Sequence, residues 1–500
     1  MRVPPPTAVA LICALALSVV GGSAHAAEIT VCSSGCDHTS IQDAVDAATS
    51  GDTILPGAET FFENVRIEKD LIIRGSGPVQ TIVDGSGSWG SVFEIWGDLP
   101  RVTLAGMTIQ NGRAPHVGGG VGHHIGRLEI DDCIIRDNRA HHSVGLSRAG
   151  GGVGSVGNIR ISNSQIVQNF ADEGGGVFVF CWLFGGPVEI VNTTISENRA
   201  DMGGGVMVGD RCSDTLIRDS VVSTNTALYR GGGLFLGGSV TISNSTIANN
   251  EGGGLHSSRG AELQWCEITR AEITIANSTF AGNYPDGLFV EGYRFSSSLR
   301  NSIVAGNDGV QCAGSVEAVM SNGYNLSSDS SCGFTMRTDM ENTDPLLLPL
   351  ADNGGPTPTC ALRSDSPAID AGGRACGPTD QRGVSRPYDG DGHGGARCDI
   401  GAFEYAPVLL DVIPQVYDMV LELAGADHDL VAPLHQAIQI REDGDPSNDA
   451  EAVTSLQAFI AEVEQQRGLT LTDAEAGELI AEAQRIIALL NFGGAAGDGR

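Results

Sequence analysis

The sequence predicts a mainly-β solenoid in which short strands stack in parallel along one axis. Three observations predict it. One phrase recurs in fixed order: ISNSQIVQNFADEGGGVF at 161–178 returns as IVNTTISENRADMGGGVM at 190–207, with later copies ISNSTIANNEGGGLH, IANSTFAGNYPDGLF and LRNSIVAGN. The segments inside each copy, such as Val240-Thr241-Ile242-Ser243 and Glu272-Ile273-Thr274-Ile275, are short, β-branched and alternating, which is the period of strands. The repeat asparagines Asn111, Asn138, Asn169, Asn198, Asn225, Asn250, Asn283 and Asn307 lie 24 to 33 residues apart. That irregularity excludes helical repeats of fixed length but suits a solenoid whose turns accept insertions on one side.

The chain begins with Arg2, an apolar run from Ala8 to Val20 and Ala24-His25-Ala26, the form of a signal peptide over residues 1–26. The mature chain is expected from Ala27, secreted or at the cell surface. No later stretch approaches the roughly 20 apolar residues of a spanning helix. The net charge is -32 and Lys69 is the only lysine, which argues against nucleic acid or an anionic membrane as partner. No cofactor is implied, although acidic side chains could recruit calcium. Glycine, 69 of 500 residues, comes in triplets once per repeat rather than every third residue, so the chain is not collagen-like.

Export permits disulfides. Proximity pairs Cys32 with Cys36, Cys312 with Cys332 and Cys376 with Cys398. Cys181 and Cys212 follow the glycine triplets of successive repeats, so stacking would place them on neighbouring layers. Cys133, Cys266 and Cys360 have no obvious partner.

Ser40 to Thr49 reads as a short amphipathic helix with Ile41, Ala44, Val45 and Ala48 on one face and Thr39 or Ser40 as N-cap. Gly51-Asp52-Thr53-Ile54 then turns into strand, followed by Asn64-Val65-Arg66-Ile67, Leu71-Ile72-Ile73-Arg74-Gly75 and Thr81-Ile82-Val83-Asp84-Gly85. This opening resembles the pectin-lyase-like superfamily. The resemblance implies a right-handed, single-stranded parallel β-helix, assigned to 27–343, with the helix covering its open N-terminal end.

Stacking predicts two columns. Asn169, Asn198, Asn225, Asn250 and Asn283 should line a tight turn, since Asn tolerates left-handed backbone and its amide can bond the amides above and below. Gly175, Gly204 and Gly232 should mark a second column that needs positive φ or close backbone approach. Gly174-Gly175-Gly176-Val177 and Phe280-Ala281-Gly282-Asn283 also resemble the repeats of chlamydial polymorphic outer-membrane proteins, which implies the same fold and an adhesin-like use.

Residues 344–405 carry a longer string of motifs: Asp344-Pro345-Leu346, Asp352-Asn353-Gly354-Gly355-Pro356-Thr357-Pro358-Thr359, Ser366-Pro367-Ala368-Ile369-Asp370-Ala371-Gly372, Thr379-Asp380-Gln381-Arg382-Gly383 and Cys398-Asp399-Ile400-Gly401-Ala402-Phe403-Glu404. These resemble the bacterial choice-of-anchor Q family, with Cys360 where that family more often has His. The resemblance implies a secreted or surface-held β-helix that ends here and carries a variable attachment device.

After Pro407 the period becomes 3.6, and 409–424, 429–441, 449–467 and 473–490 read as four helices of a small bundle. Val453, Leu456, Ile460 and Val463 form one face of the third. Leu456-Gln457-Ala458-Phe459-Ile460, Gly468 and Ala483-Gln484-Arg485-Ile486-Ile487 resemble the FIMAH module, a helical domain at the ends of secreted bacterial proteins. It is assigned to 408–490, ahead of a flexible tail at 491–500, and would attach the protein or dock a partner.

Chemistry is sought where the repeat is broken. His116, His123, His124, His141 and His142 cluster with Asp131, Asp132, Asp137, Arg136 and Arg139. Convergence of these side chains would make a sugar or metal site, with Asp137, Arg139 and His141 as catalytic candidates and the other histidines as binding candidates. Alignment of the repeats makes Asp132 a turn residue instead. Asp389 and Asp391, in the loop DGDGHGG, are calcium candidates by ligand type, but no Glu closes a twelve-residue loop. The leading reading is a non-enzymatic surface β-helix that presents a lateral face to carbohydrate or a cell-surface partner. The alternative is a polysaccharide lyase or glycosidase working in a lateral groove.

Overall fold

The computed structural model describes residues 26–140, 149–181, 186–209, 212, 215–257, 271–291, 295–315, 319–390 and 394–406, then 449–467 and isolated positions between 433 and 484. The chain is a right-handed parallel β-helix of about ten turns. Each turn contributes strands to three parallel ladders. Ladder 1 contains Ile159–Ser162, Val188–Val191, Thr215–Arg218 and Val240–Ser243, and ladder 2 contains Gln165–Val167, Thr194–Ser196 and Val221–Ser223. Ladder 3 has ten strands, among them Val153–Ser155, Val177–Val179 and Val206–Val208. In two turns a single strand, Arg101–Gln110 or Arg127–Arg136, runs through the corner between ladders 1 and 2.

Alternation sets which side chains enter the core. In ladder 1, Ile130, Ile161, Ile190, Ile217, Ile242 and Ile275 stand in register, one per turn, and all are buried. Like thus sits on like, and the interior is a layered column of β-branched and Leu side chains.

The corner between ladders 2 and 3 is held by an asparagine ladder. Asn138, Asn169, Asn198, Asn225, Asn250 and Asn283 each donate backbone N–H and side-chain amide to Oδ1 of the next asparagine, at 2.9–3.1 Å. Asn307 ends the series by donating both groups to Gln311 Oε1. The left-handed backbone expected at these asparagines belongs instead to the residue before each: Asp137, Gln168, Glu197, Thr224 and Asn249 have φ of 56 to 58°. The asparagine turns inward to bond, so the reversal of direction falls on its exposed neighbour. Asn111, with φ 61°, is one of those neighbours, and Gly112 takes the ladder position by donating to Asn138 Oδ1.

A second polar column, not read from the sequence, holds the corner between ladders 1 and 2. Thr193, Ser220, Ser245 and Ser278 each donate backbone N–H to the hydroxyl of the next turn. Cys133 extends the column by donating its N–H to Ser164 Oγ, and the residue before each member is left-handed, including Asp132, Asn163, Asn192 and Asn244, so Asp132 is a turn residue.

The two reasons for glycine divide between positions of the triplet. The first glycine has positive φ, as at Gly174 (59°) and Gly203 (64°). The second permits close stacking: a Cβ on Gly175, Gly204 or Gly232 would lie 2.5, 2.6 or 2.2 Å from a carbonyl oxygen of the next turn.

Helix α1 (Ile41–Ala47) covers the N-terminal end and buries Ile41, Ala44 and Val45 in the common core. Ser40 is its N-cap, and Glu63 accepts the N–H groups of Ile41 and Gln42. The sole lysine closes the other end, with Lys69 Nζ 3.0 Å from Val45 O and 2.8 Å from Ala48 O, where a cation suits the helix dipole. Disulfides join Cys32 to Cys36, Cys181 to Cys212, Cys312 to Cys332 and Cys376 to Cys398; the second links adjacent turns. Cys133 and Cys360 are buried free thiols.

Residues 344–405, expected to end the stack, instead fold back along the outer face of ladder 2. That face turns apolar late in the helix: Gln165 and Thr194 early on give way to Ala248, Ala281, Ile303 and Ala305, which Leu362, Ile400, Phe403 and Cys360 cover. Asn244, Asn277 and Asn301 donate side-chain amides to the carbonyls of Thr379, Cys376 and Asp399 in the returning segment. The segment encloses Arg386, which lies 3.1 Å from Glu404, and burial and the Glu404 charge together raise the Asp399 pKa.

Of the tail, α2 (Asp449–Gln466) is described; the other expected helices lie largely outside the described residues, as does the signal segment. Its buried face is Ala452, Leu456, Phe459 and Val463, one step round from the face expected, because Phe459 rather than Ile460 turns inward. Among the described residues no helix is long and apolar enough to cross a membrane.

Asn198→Ala strands the amide of Asn169 and the carbonyl of Ile166 in the interior. It should lower the urea-unfolding free energy by about 3 kcal/mol, whereas Asp201→Ala at an exposed position should change it by less than about 0.5 kcal/mol.

Candidate functional site

Because the core takes alternate residues, the residues between them form charged columns on the outer face. On ladder 1, Thr103, Glu129, Arg160 and Glu189 stand in register on consecutive turns. Arg160 Nη1 bonds Glu189 and its Nε lies 4.0 Å from Glu129, so two carboxylates hold one guanidinium across three turns. Beside this column Arg101 pairs directly with Arg127. Neither forms an ion pair with another described residue, and both are exposed.

These side chains line two adjoining depressions. One, of about 580 Å³, is lined by Arg127, Glu129, Asn158, Arg160 and Glu189 among others; the next, of about 380 Å³, shares Arg127 and Glu129 and extends to Arg101, Thr103 and Asp70. The result is a shallow lateral groove with arginines at successive strand spacings of about 4.8 Å. Its three arginines, donors suited to anionic oxygen, stand among the carboxylates of Asp70, Glu129 and Glu189.

The sequence-predicted cluster does not assemble as one site among the described residues. His123 is a core residue of ladder 3, fully buried with Nδ1 2.8 Å from Ser155 Oγ, and burial pushes its pKa down to about 4. That corrects its reading as a surface ligand. The alternation of Val121-Gly122-His123 turns it inward. Asp137 sits at the ladder 2–3 corner with Arg136 4.0 Å away, and Arg139 lies over the Phe170 ring on the following arm. Asp131 accepts from Ser162 and Asn163 at the opposite corner of ladder 2. His116 is exposed on the loop crossing toward ladder 3. His141 and His142 lie outside the described residues, as does Asp391. Asp389 accepts the Gly394 N–H at 3.1 Å. Among the described residues no three His, Cys, Asp or Glu side chains are grouped to hold a metal.

Among the described histidines of this group, His124 alone joins a compact surface cluster. Its ring stacks on Trp96, 3.8 Å between centroids and 17° from parallel, and its Nε2 is 3.7 Å from Glu94 Oε1. The His124 imidazole, with the Trp96 side chain, holds the Glu94 carboxyl below its usual range against the opposing effect of burial. Farther along ladder 3, His256 stacks between Phe235 and Phe289, and burial, then the Arg230 charge, lowers its pKa to about 4.

Sequence reasoning followed histidine density and missed Arg101, Arg127, Arg160 and Trp96. The available signal was register: the residue between each inward pair of a ladder 1 strand is outward, so aligning the strands exposes the Glu129, Arg160, Glu189 alternation.

Residues 101–267 match the family model described as right handed beta helix region. No curated protein matches the chain. Among solved structures, the chain is similar to the PL6 family alginate lyase AlyGC at 15% identity and TM-score 0.32, covering 73% of this chain and 57% of that one. It therefore spans little more than half of that enzyme's length. It is also similar to a mannuronic acid specific polysaccharide family 6 lyase from human gut microbiota, at 12% identity and TM-score 0.29, covering 63% of this chain and 92% of that one. A pectin methylesterase mutant in complex with a hexasaccharide matches at 12% identity and TM-score 0.23, covering 60% and 78%.

A histidine held neutral by the fold refuses a proton that the unfolded chain accepts. Stability is therefore present above about pH 6.5 and falls as pH drops from there through about 4. His256→Phe keeps the aromatic stack but removes this proton. Across that interval, by thermal unfolding, the wild type should lose up to about 3 kcal/mol more than the variant.

Proposed function

We propose that the protein is an exported or cell-surface β-helix that binds an acidic polysaccharide in the ladder 1 groove without cleaving it. The observation that carries this reading is the direct strand pairing of Arg101 with Arg127, neither in an ion pair among the described residues, in depressions shared with Arg160 and the neutral donor Asn158. Carboxylates along a glycan would meet a guanidinium fork at successive turns, while Glu129 and Glu189 hold Arg160 in place and accept from sugar hydroxyls. Four disulfides suit life outside the cytoplasm. The motifs of residues 344–405 and the amphipathic α2 support an adhesin-like or structural role, with the tail attaching the protein or docking an envelope component.

Retention on immobilised polygalacturonate should fall steeply with added salt and drop about ten-fold or more in Arg127→Ala, with circular dichroism unchanged. Release of new reducing ends or unsaturated products by the wild type would convert the reading to that of a lyase or glycosidase. Full retention by an Arg101→Ala, Arg127→Ala double variant would remove the groove from the account.

A further inference from the structure

We infer that Trp96 is a stacking platform for a pyranose ring, held in place by His124 and Glu94, at the corner that leads into the ladder 1 groove. The inference rests on the carbohydrate-binding reading for the class of ligand, and on a separate group of residues for the site.

Trp96 follows the ladder 3 strand Phe93–Ile95 and is 40% exposed, while its His124 neighbour keeps only 20% of its side chain in solvent. One face of the indole is therefore covered by imidazole at 3.8 Å, and its exposed area is left to the other face and the edge. Glu94 Oε1 lies 3.7 Å from His124 Nε2, and the two rings hold its carboxyl below the usual range. A tryptophan packed only for the core would be buried, and one on a loose loop would lack the stacked partner and the carboxylate. A rigid indole with one open face, flanked by a carboxylate, fits the apolar C–H face of a sugar ring, whose equatorial hydroxyls can donate to Glu94.

Position joins this shelf to the groove. Arg101 comes five positions after Trp96 and Arg127 three after His124, so both members of the stack lead by one short corner into the paired arginines. The shelf recognises a ring face and is indifferent to charge, whereas the arginines recognise carboxylate. His124 and Glu94 are positioning residues.

The test uses the mature full-length protein in affinity electrophoresis with two probes, polygalacturonate and mixed-linkage β-glucan. Trp96→Ala should weaken the retained probes about ten-fold, with Trp96→Phe intermediate. Ligand should change tryptophan emission in the wild type and in Trp89→Phe, but not in Trp96→Phe. His124→Ala should weaken binding and His124→Phe, which restores a stacked ring, should recover it. Wild-type affinity in a folded Trp96→Ala, or no retention of either probe by the wild type, overturns the assignment. Arg127→Ala separates the two readings: a loss confined to Trp96 variants sinks the groove alone, and a loss confined to Arg127 sinks the shelf alone.

Discussion

Within the β-helix, the strands find their backbone hydrogen bonds in the turns stacked above and below them. That single requirement fixes the outline of each turn, because a layer that bulged or shrank would leave buried N–H and C=O groups of two neighbours unpaired. The isoleucine column of ladder 1, the asparagine ladder, the hydroxyl column and the glycine contacts are four solutions to the same demand, one for each part of the perimeter. Length is free only where the chain leaves the outline, which is why repeat spacing varies while register does not.

Much of this was legible because stacking writes itself into sequence as recurrence. The short N-terminal helix, the strands of the array and the four disulfide pairs could be read from spacing and alternation, while the helix's place over the end of the stack was implied by a family resemblance. What was misread depended on geometry that recurrence does not encode. The asparagine and its left-handed neighbour recur together, so sequence cannot say which of the two turns the chain and which bonds. The course of residues 344–405 escaped for another reason: their docking depends on the outer face of ladder 2 turning apolar, and outward positions looked unremarkable until the inward ones had been identified. The histidines misled because density along the chain is not proximity around a solenoid. Alternation sends His123 into the core and leaves His124, its neighbour, on the surface.

The division of labour follows from the same geometry. Inward positions answer to stacking and are nearly fixed, whereas outward positions on ladder 1 are excused from it and can carry charge. The returning segment covers ladder 2 with a buried Arg386–Glu404 pair and a disulfide, and leaves ladder 1 uncovered at the turns that bear Arg101, Arg127 and Arg160. The side chains proposed to bind are thus ones on which the fold makes no claim.

The asparagine ladder also has a direction. Each asparagine gives its backbone N–H and one amide hydrogen forward, gives the other back to a carbonyl of the preceding turn and receives at Oδ1 from behind, so any terminal asparagine would offer donors to a further turn. At Asn307 both donors pass to Gln311 Oε1, only four residues on, and Gln311 Nε2 turns back to the Asn307 carbonyl. A repeat that could in principle be added without limit, or matched by the end of a second molecule, meets there a residue that completes the series within its own turn. The ladder therefore ends one turn before the stack does, since Val319–Ser321 and Leu326–Ser327 still pair onto the turn of Asn307.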